Sequence, residues 1–127
     1  MGVKVFTTQR IGTRVSASEL SAIAKLFSQY KESGIAPGEF GRDTDFKDPH
    51  SAIVAKLMHI HVDDGTFKMK AVQFGRTSDT FLIYCQGQVS KDNYLLIDFI
   101  ANAHVRTRKI TYMADLAEIA EKFRVKR

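Results

Sequence analysis

The chain has 127 residues, a single cysteine and a formal net charge of +5. That length suits one domain with its own core, spanning residues 1–127, and a lone cysteine excludes an intramolecular disulfide. No apolar run is long enough to span a membrane and the opening Met-Gly-Val-Lys-Val-Phe has no signal-peptide core, so the expectation is a cytoplasmic protein with no membrane partner.

Val3 to Phe6 reads as a first strand. Ser16-Ala17-Ser18-Glu19 is a capping box, in which the Ser hydroxyl takes a free amide of the first turn and the Glu reaches back to the cap. Leu20, Ile23, Ala24, Phe27 and Tyr30 then share one helical face, and Gly34 predicts the stop. Residues 34–50 hold both prolines and four acids and are expected to be loop; Ser51 to Lys56 suits a helical turn. Leu57 to Val62 and Phe67 to Val72 flank Asp63-Asp64-Gly65, which predicts a hairpin. Phe81 to Gln86 and Tyr94 to Ile100 are denser apolar runs, as in central strands buried on both faces, and the short polar stretch Gln88 to Asn93 would pair them antiparallel. Met113, Leu116, Ala117, Ala120 and Phe123 return to helical spacing. The sum is α+β: N-terminal helices on a small, mostly antiparallel sheet, closed by a C-terminal helix.

The positive charge is concentrated at the end of the chain. From Arg106 onward seven Lys or Arg face three acids, so this stretch carries four of the five net charges. Such a surface attracts polyanions, nucleic acid above all, although basic residues also suit a helix C-terminus as such.

Four histidines are the candidates for chemistry. His59 and His61 stand two apart on a predicted strand and so share a face, while Met58, Ile60 and Val62 point to the core. On an open sheet face the pair could move protons, contact RNA or be simply solvated. No third ligand is spaced to complete a metal site, so no metal or other cofactor is expected. Lys68 and Lys70 alternate on the next predicted strand and would lie beside the histidines. His104 precedes Arg106, Arg108 and Lys109, a cluster able to hold a phosphodiester, or else a plain basic connection. Arg76 falls in a polar stretch where pairing with Asp79 is the simplest role. His50 has no feature that singles it out, and Cys85 lies in an apolar strand where an inert thiol is expected. Walker, dinucleotide-binding, zinc-finger and nucleophile-elbow motifs are all absent.

Several blocks together resemble the YafO family. They are Tyr30-Lys31, Gly34, Pro37 and Phe40-Gly41-Arg42-Asp43; His59-Ile60-His61; Gln73-Phe74, Arg76 and Asp79, running into Tyr84-Cys85-Gln86-Gly87; Leu95-Leu96-Ile97; then His104, Arg108, Met113, Ala120, Phe123 and Arg124. Relatives tend to carry proline just before the position of His104, where this chain has Ala101 and Ala103. The resemblance implies a RelE-like fold and the toxin of a type II toxin–antitoxin pair. It further implies cleavage of mRNA on the ribosome and a cognate antitoxin that neutralises the toxin. Metal-free attack by the RNA 2′-hydroxyl would then use His104 with His59 or His61 for proton transfer. Arg76 and Arg108 would stabilise the phosphorane, while Lys68, Lys70, Arg106 and Lys109 would bind the RNA backbone. The rivals are a non-enzymatic poison that docks on a target such as a topoisomerase, and a metal-dependent nuclease of DNA or free RNA.

Overall fold

The computed structural model describes residues 2–68 and 71–127. Its elements run β1 (Lys4–Thr7), α1 (Gln9–Gly12), α2 (Ala17–Ser33), β2 (Phe40–Asp45), α3 (His50–Val54), β3 (Met58–Val62), a 3-10 turn (Gln73–Gly75), β4 (Phe81–Gln86), β5 (Asn93–Ile100), α4 (Ala103–Arg106) and α5 (Ile110–Lys126). The strands form one sheet in the order β1-β5-β4-β3-β2, with β1 parallel to β5 and every other pair antiparallel.

Both faces of the sheet are covered. Phe27 and Tyr30 of α2, with Ile11 of α1, pack on Phe40, Ile60, Leu82, Tyr84 and Leu96. On the opposite face Met113, Leu116, Ala117 and Ala120 of α5, with Ala52 of α3, pack on Phe81, Ile83, Cys85, Leu95 and Ile97. Alternation along β4 and β5 feeds both layers, which is why these two strands read as continuous apolar runs. The capping box forms as the sequence predicts: Ser16 Oγ accepts from Glu19 N–H and Glu19 returns the bond to Ser16 N–H. Gly34 ends α2 at φ +76°, a conformation that costs glycine least.

Three expectations change. Residues 34–50 are not all loop, because β2 runs through them and pairs with β3. Its sequence Phe-Gly-Arg-Asp-Thr-Asp hides a strand because its polar side chains find partners far along the chain: Asp43 accepts from Tyr30 Oη (2.8 Å), Lys31 Nζ (2.8 Å) and Tyr84 Oη (2.6 Å). The described residues of the 67–72 segment form no strand. β3 instead lies between β2 and β4, so no edge is left there for a hairpin partner. Finally, His59 and His61 do share a face, but that face is packed: both rings are buried against Phe81.

One buried carboxylate ties the N-terminal segment to β5 and α5. Asp98 has no exposed surface and accepts from Arg14 Nε (2.9 Å) and Nη2 (3.2 Å), Tyr112 Oη (2.6 Å) and Phe99 N–H (2.9 Å). Removing one side of such a pair strands the other. Asp98→Ala is expected to cost about 3 kcal/mol, since Arg14 keeps some access to water. Urea unfolding checks this as a lower midpoint at unchanged slope, and an unchanged midpoint would show the network to be dispensable.

Candidate active site

Three of the four histidines meet around one phenyl ring. The ring of Phe81 lies 4.5 Å from His59, 4.7 Å from His61 and 5.3 Å from His104, centre to centre. His59 and His61 come from β3, Phe81 from the start of β4, and His104 from α4 just beyond β5. Adjacent strands thus bring together residues that are distant in sequence. They line a cleft of about 360 Å³ with Arg42, Thr44 and Asp45 of β2, Phe46, Phe74 and Thr107. Among the described residues no three His, Cys, Asp or Glu side chains gather into a metal-holding group.

The three imidazoles differ in environment. His104 is open, and its Nδ1 lies 2.6 Å from Asp79 Oδ1, which also accepts the His104 backbone N–H at 2.8 Å. Those two hydrogen bonds, the amide's first, hold the Asp79 carboxyl below its ordinary range, so it is ionised and accepts only. The proton of the neutral ring therefore sits on Nδ1, and Nε2 is left facing outward from the pair. Asp79 O also accepts Ala103 N–H, so the Ala101–Ala103 stretch is pinned without proline.

His61 is held neutral. Burial is the largest cause and lowers its pKa; the Ser78 carbonyl, 2.9 Å from Nδ1, pulls the other way, and the Arg42 charge lowers it again. The Ser78 amide hydrogen points at the same Nδ1 from 2.8 Å. An amide donor has no alternative direction, so Nδ1 accepts and Nε2 carries the hydrogen. His59 is stacked on Phe46 at 4.2 Å, and its Nδ1 is buried with no partner. Burial, then the neighbouring His61, lower its pKa to about 4.

Among the described residues two cations line the cleft: Lys47, which pairs with Asp45 (3.2 Å), and Arg42. Arg42 Nε donates to Phe74 O at 2.8 Å, and its guanidinium stacks 4.1 Å from the Phe74 ring, itself 64 % exposed. The sequence reading carried Arg42 within the Phe-Gly-Arg-Asp block and gave it no role. Phe74 and Asp79 likewise fall within the blocks that resemble the family, and apart from that Asp79 is a candidate only as the partner of Arg76.

Arg76 does not pair with Asp79. Its Nε and Nη2 donate to Phe40 O (3.1 and 2.6 Å), Nη1 to Ala71 O (3.3 Å) and Nη2 also to Pro37 O (3.5 Å). The guanidinium is thus committed to backbone carbonyls and does not line the cleft. Arg106, Arg108 and Lys109 are exposed on the α4–α5 connection beside His104, with Arg106 Nε bonded to Ala101 O; of that stretch, Thr107 alone lines the cleft with His104. Lys68 is exposed in the irregular segment after β3, and Lys70 lies outside the described residues. His50 is exposed at the start of α3, apart from the cleft.

The five-stranded α+β sheet, with helices on both faces and a closing C-terminal helix, is consistent with the RelE-like toxin fold, and a His–Asp pair stands at its cleft. A family model described as "Toxin YafO, type II toxin-antitoxin system" matches residues 28–125. The mRNA interferase toxin YafO of Escherichia coli (strain K12) is 33% identical over 131 aligned positions, covering 98% of this chain and 99% of that protein. The chain belongs to the YafO toxin family. No solved structure matches it.

The neutral histidines make stability depend on pH. The folded-state pKa of His59, about 4, lies below the unfolded value near 6.5. Its contribution is therefore complete above the unfolded value and is lost as pH falls toward 4, and His61 acts in the same direction. Lowering the pH from 7.5 to 5 should remove about 2 kcal/mol through His59, and His59→Phe should flatten that slope in urea titrations. Equal slopes in both proteins would place the titrating group elsewhere.

Proposed function

We propose that this chain is an endoribonuclease toxin, an mRNA interferase, that cuts messenger RNA on the ribosome in the cytoplasm and is neutralised by a cognate antitoxin. The reading is supported by family membership and by the likeness to the Escherichia coli protein named an mRNA interferase toxin. The single observation that carries it is the Asp79–His104 pair, set in one cleft with Arg42 and His61. A type II toxin has an antitoxin partner by definition, and no helix of the described chain is long and apolar enough to cross a membrane.

The chemistry needs a base for the 2′-hydroxyl, charge on the phosphorane and a proton for the leaving oxygen. His104 Nε2 takes the 2′-proton as the 2′-oxygen bonds to phosphorus, and Asp79 stabilises the imidazolium that forms. Arg42 and the His61 Nε2–H donate to the non-bridging oxygens. The P–O5′ bond breaks to leave a 2′,3′-cyclic phosphate, and the 5′-oxygen takes a proton from solvent or from the ribosome. His59 and His61 are both held neutral and so are poor acids. The ribosome is therefore expected to complete the set as well as to orient the message. Arg76 acts here as a positioning residue, clamping the loop that presents Phe74, and Phe74 offers a face on which a base can stack. Arg106, Arg108 and Lys109 hold the RNA backbone next to His104, with Lys68 and Lys70 as further backbone contacts.

Translation of a defined message in vitro, with cuts mapped by primer extension, tests this. Cuts should require ribosomes, fall ~10²–10⁴-fold with His104→Ala and ~10²–10³-fold with Arg42→Ala, and vanish on a message with a 2′-deoxy group at the cut site. Arg108→Ala and Lys109→Ala should weaken cutting most at low salt and make it less dependent on salt. Growth arrest without any cut would sink the reading in favour of a docking poison. Cuts that survive the 2′-deoxy substitution but not a chelator would sink it in favour of a metal nuclease.

A further inference from the structure

A concavity of about 510 Å³ lies away from the histidines, between α3, the end of α5 and the β4–β5 turn, and Lys56, Lys91 and Arg124 line it. A hollow of about 230 Å³ shares these three residues. Lys31 also borders the smaller hollow, but its ammonium is matched by Asp43. Glu121 also lines the larger concavity, but among the described residues none of the other three cations forms an ion pair with it or with any other acid. Arg124 is the informative one. It is only 8 % exposed, and its guanidinium has a single protein acceptor, Gln86 O, at 2.6 Å. A guanidinium offers five N–H donors, and a buried cation with no counter-ion is costly to keep.

Lys56 adds an independent observation. It follows α3 at φ +55°, the left-handed position of a Schellman turn, with its own N–H on Ile53 O and Leu57 N–H on Ala52 O. Glycine is favoured there because any Cβ is strained. A lysine at that position places an exposed ammonium on the rim of the basic hollow at the expense of fold stability.

We propose that Lys56, Lys91 and Arg124 form an anion site that holds phosphodiester groups of RNA outside the catalytic cleft; this rests on the reading of the chain as acting on RNA. A hollow of about 220 Å³ shares Asp45 and Phe46 with the histidine cleft and Lys56 with the basic site. The three hollows therefore adjoin, with the Asp45 carboxylate on the wall between them. An acidic peptide would match the same charge, but adjacency to the histidine cleft favours a strand with one phosphate at His104 and another at Lys56.

The test uses the full chain carrying Lys56→Gly with Lys91→Gln, and leaves Arg124 in place because it packs in the fold. The probes are labelled, uncleavable 2′-O-methyl RNAs, a trinucleotide and one of about twelve nucleotides. The longer RNA should bind several-fold more weakly to the variant, with a salt slope smaller by roughly 1.4, as two lost contacts on a single strand predict. The trinucleotide should be unaffected if the site takes the message beyond the cleft. A loss seen only in co-sedimentation with ribosomes would also support the site and assign it to ribosomal RNA. Unchanged binding of both the long RNA and ribosomes overturns the proposal, and so does a loss confined to an oligo-glutamate probe. Lys56→Gly alone should raise Tm by about 2–4 °C, which excludes unfolding as the cause of weaker binding. Mapped message cuts by the wild-type chain keep the ribonuclease reading separate: cutting with no binding loss in the variant sinks the anion site alone.

Discussion

At Gly41 the backbone of β2 lies against the backbone of the loop that carries Arg76, so close that a Cβ at that position would run into the Arg76 carbonyl and, at 2.8 Å, the Phe67 ring. That contact sets the geometry of the cleft. Arg42 N–H bonds to Arg76 O, Gln73 Nε2 to Gly41 O, and the Arg76 guanidinium returns to Phe40 O. These bonds tie the loop to β2, and the 3-10 turn at its end sets Phe74 over Arg42. On the other side of β2, Asp43 gathers Tyr30, Lys31 and Tyr84, which fixes the strand to α2 and β4. Any backbone shift at Gly41 would move Arg42, and with it the charge facing His61.

What the sequence made legible was local. The capping box, the Gly34 stop, the dense runs of β4 and β5 and the spacing of α5 each depend on residues within a few turns of one another, and each stands where the pattern put it. β2 was illegible for the opposite reason: Arg42 and Asp43 look like loop residues until Phe74 O and Tyr84 Oη are known to be their partners. The strand expected over 67–72, whose described residues form none, followed from alternation and the Asp63-Asp64-Gly65 turn, and neither reveals that both edges of β3 are already taken. For the site, the shared face of His59 and His61 followed from the period of two, and His104 from its basic surroundings. The burial of the first two did not follow, because Phe46 and Phe81 supply it from elsewhere in the chain. Arg76 had the right residue type for phosphate chemistry, yet its donors are taken by carbonyls, a fact no spacing encodes.

Charge is divided between a cleft that keeps its histidines neutral and a surface that is cationic. Burial suppresses protonation of His59 and His61, so the cleft does not offer a row of imidazolium acids to RNA. Cationic groups sit at the rim and beyond: Arg42, the α4–α5 connection and the Lys56–Arg124 hollow. On the proposed reading such a site holds RNA through its cations, and the ribosome completes the chemistry because neither buried histidine is charged to serve as the acid.

Two places where the chain departs from ordinary rules of stability bear on this division. His59 Nδ1 is buried without a partner, and Lys56 occupies a backbone conformation that glycine would take at lower cost. Neither departure is repaired by a nearby residue, although simple substitutions would repair both. A strained or unsatisfied position that nothing in the fold relieves points to a requirement outside the fold. The two lie on adjoining hollows that share Phe46 and Lys56 as walls. A single extended polyanion along those hollows would meet the cations at one end while passing the imidazoles at the other, and it accounts for the strained Lys56, whereas the buried His59 Nδ1 lies out of its reach.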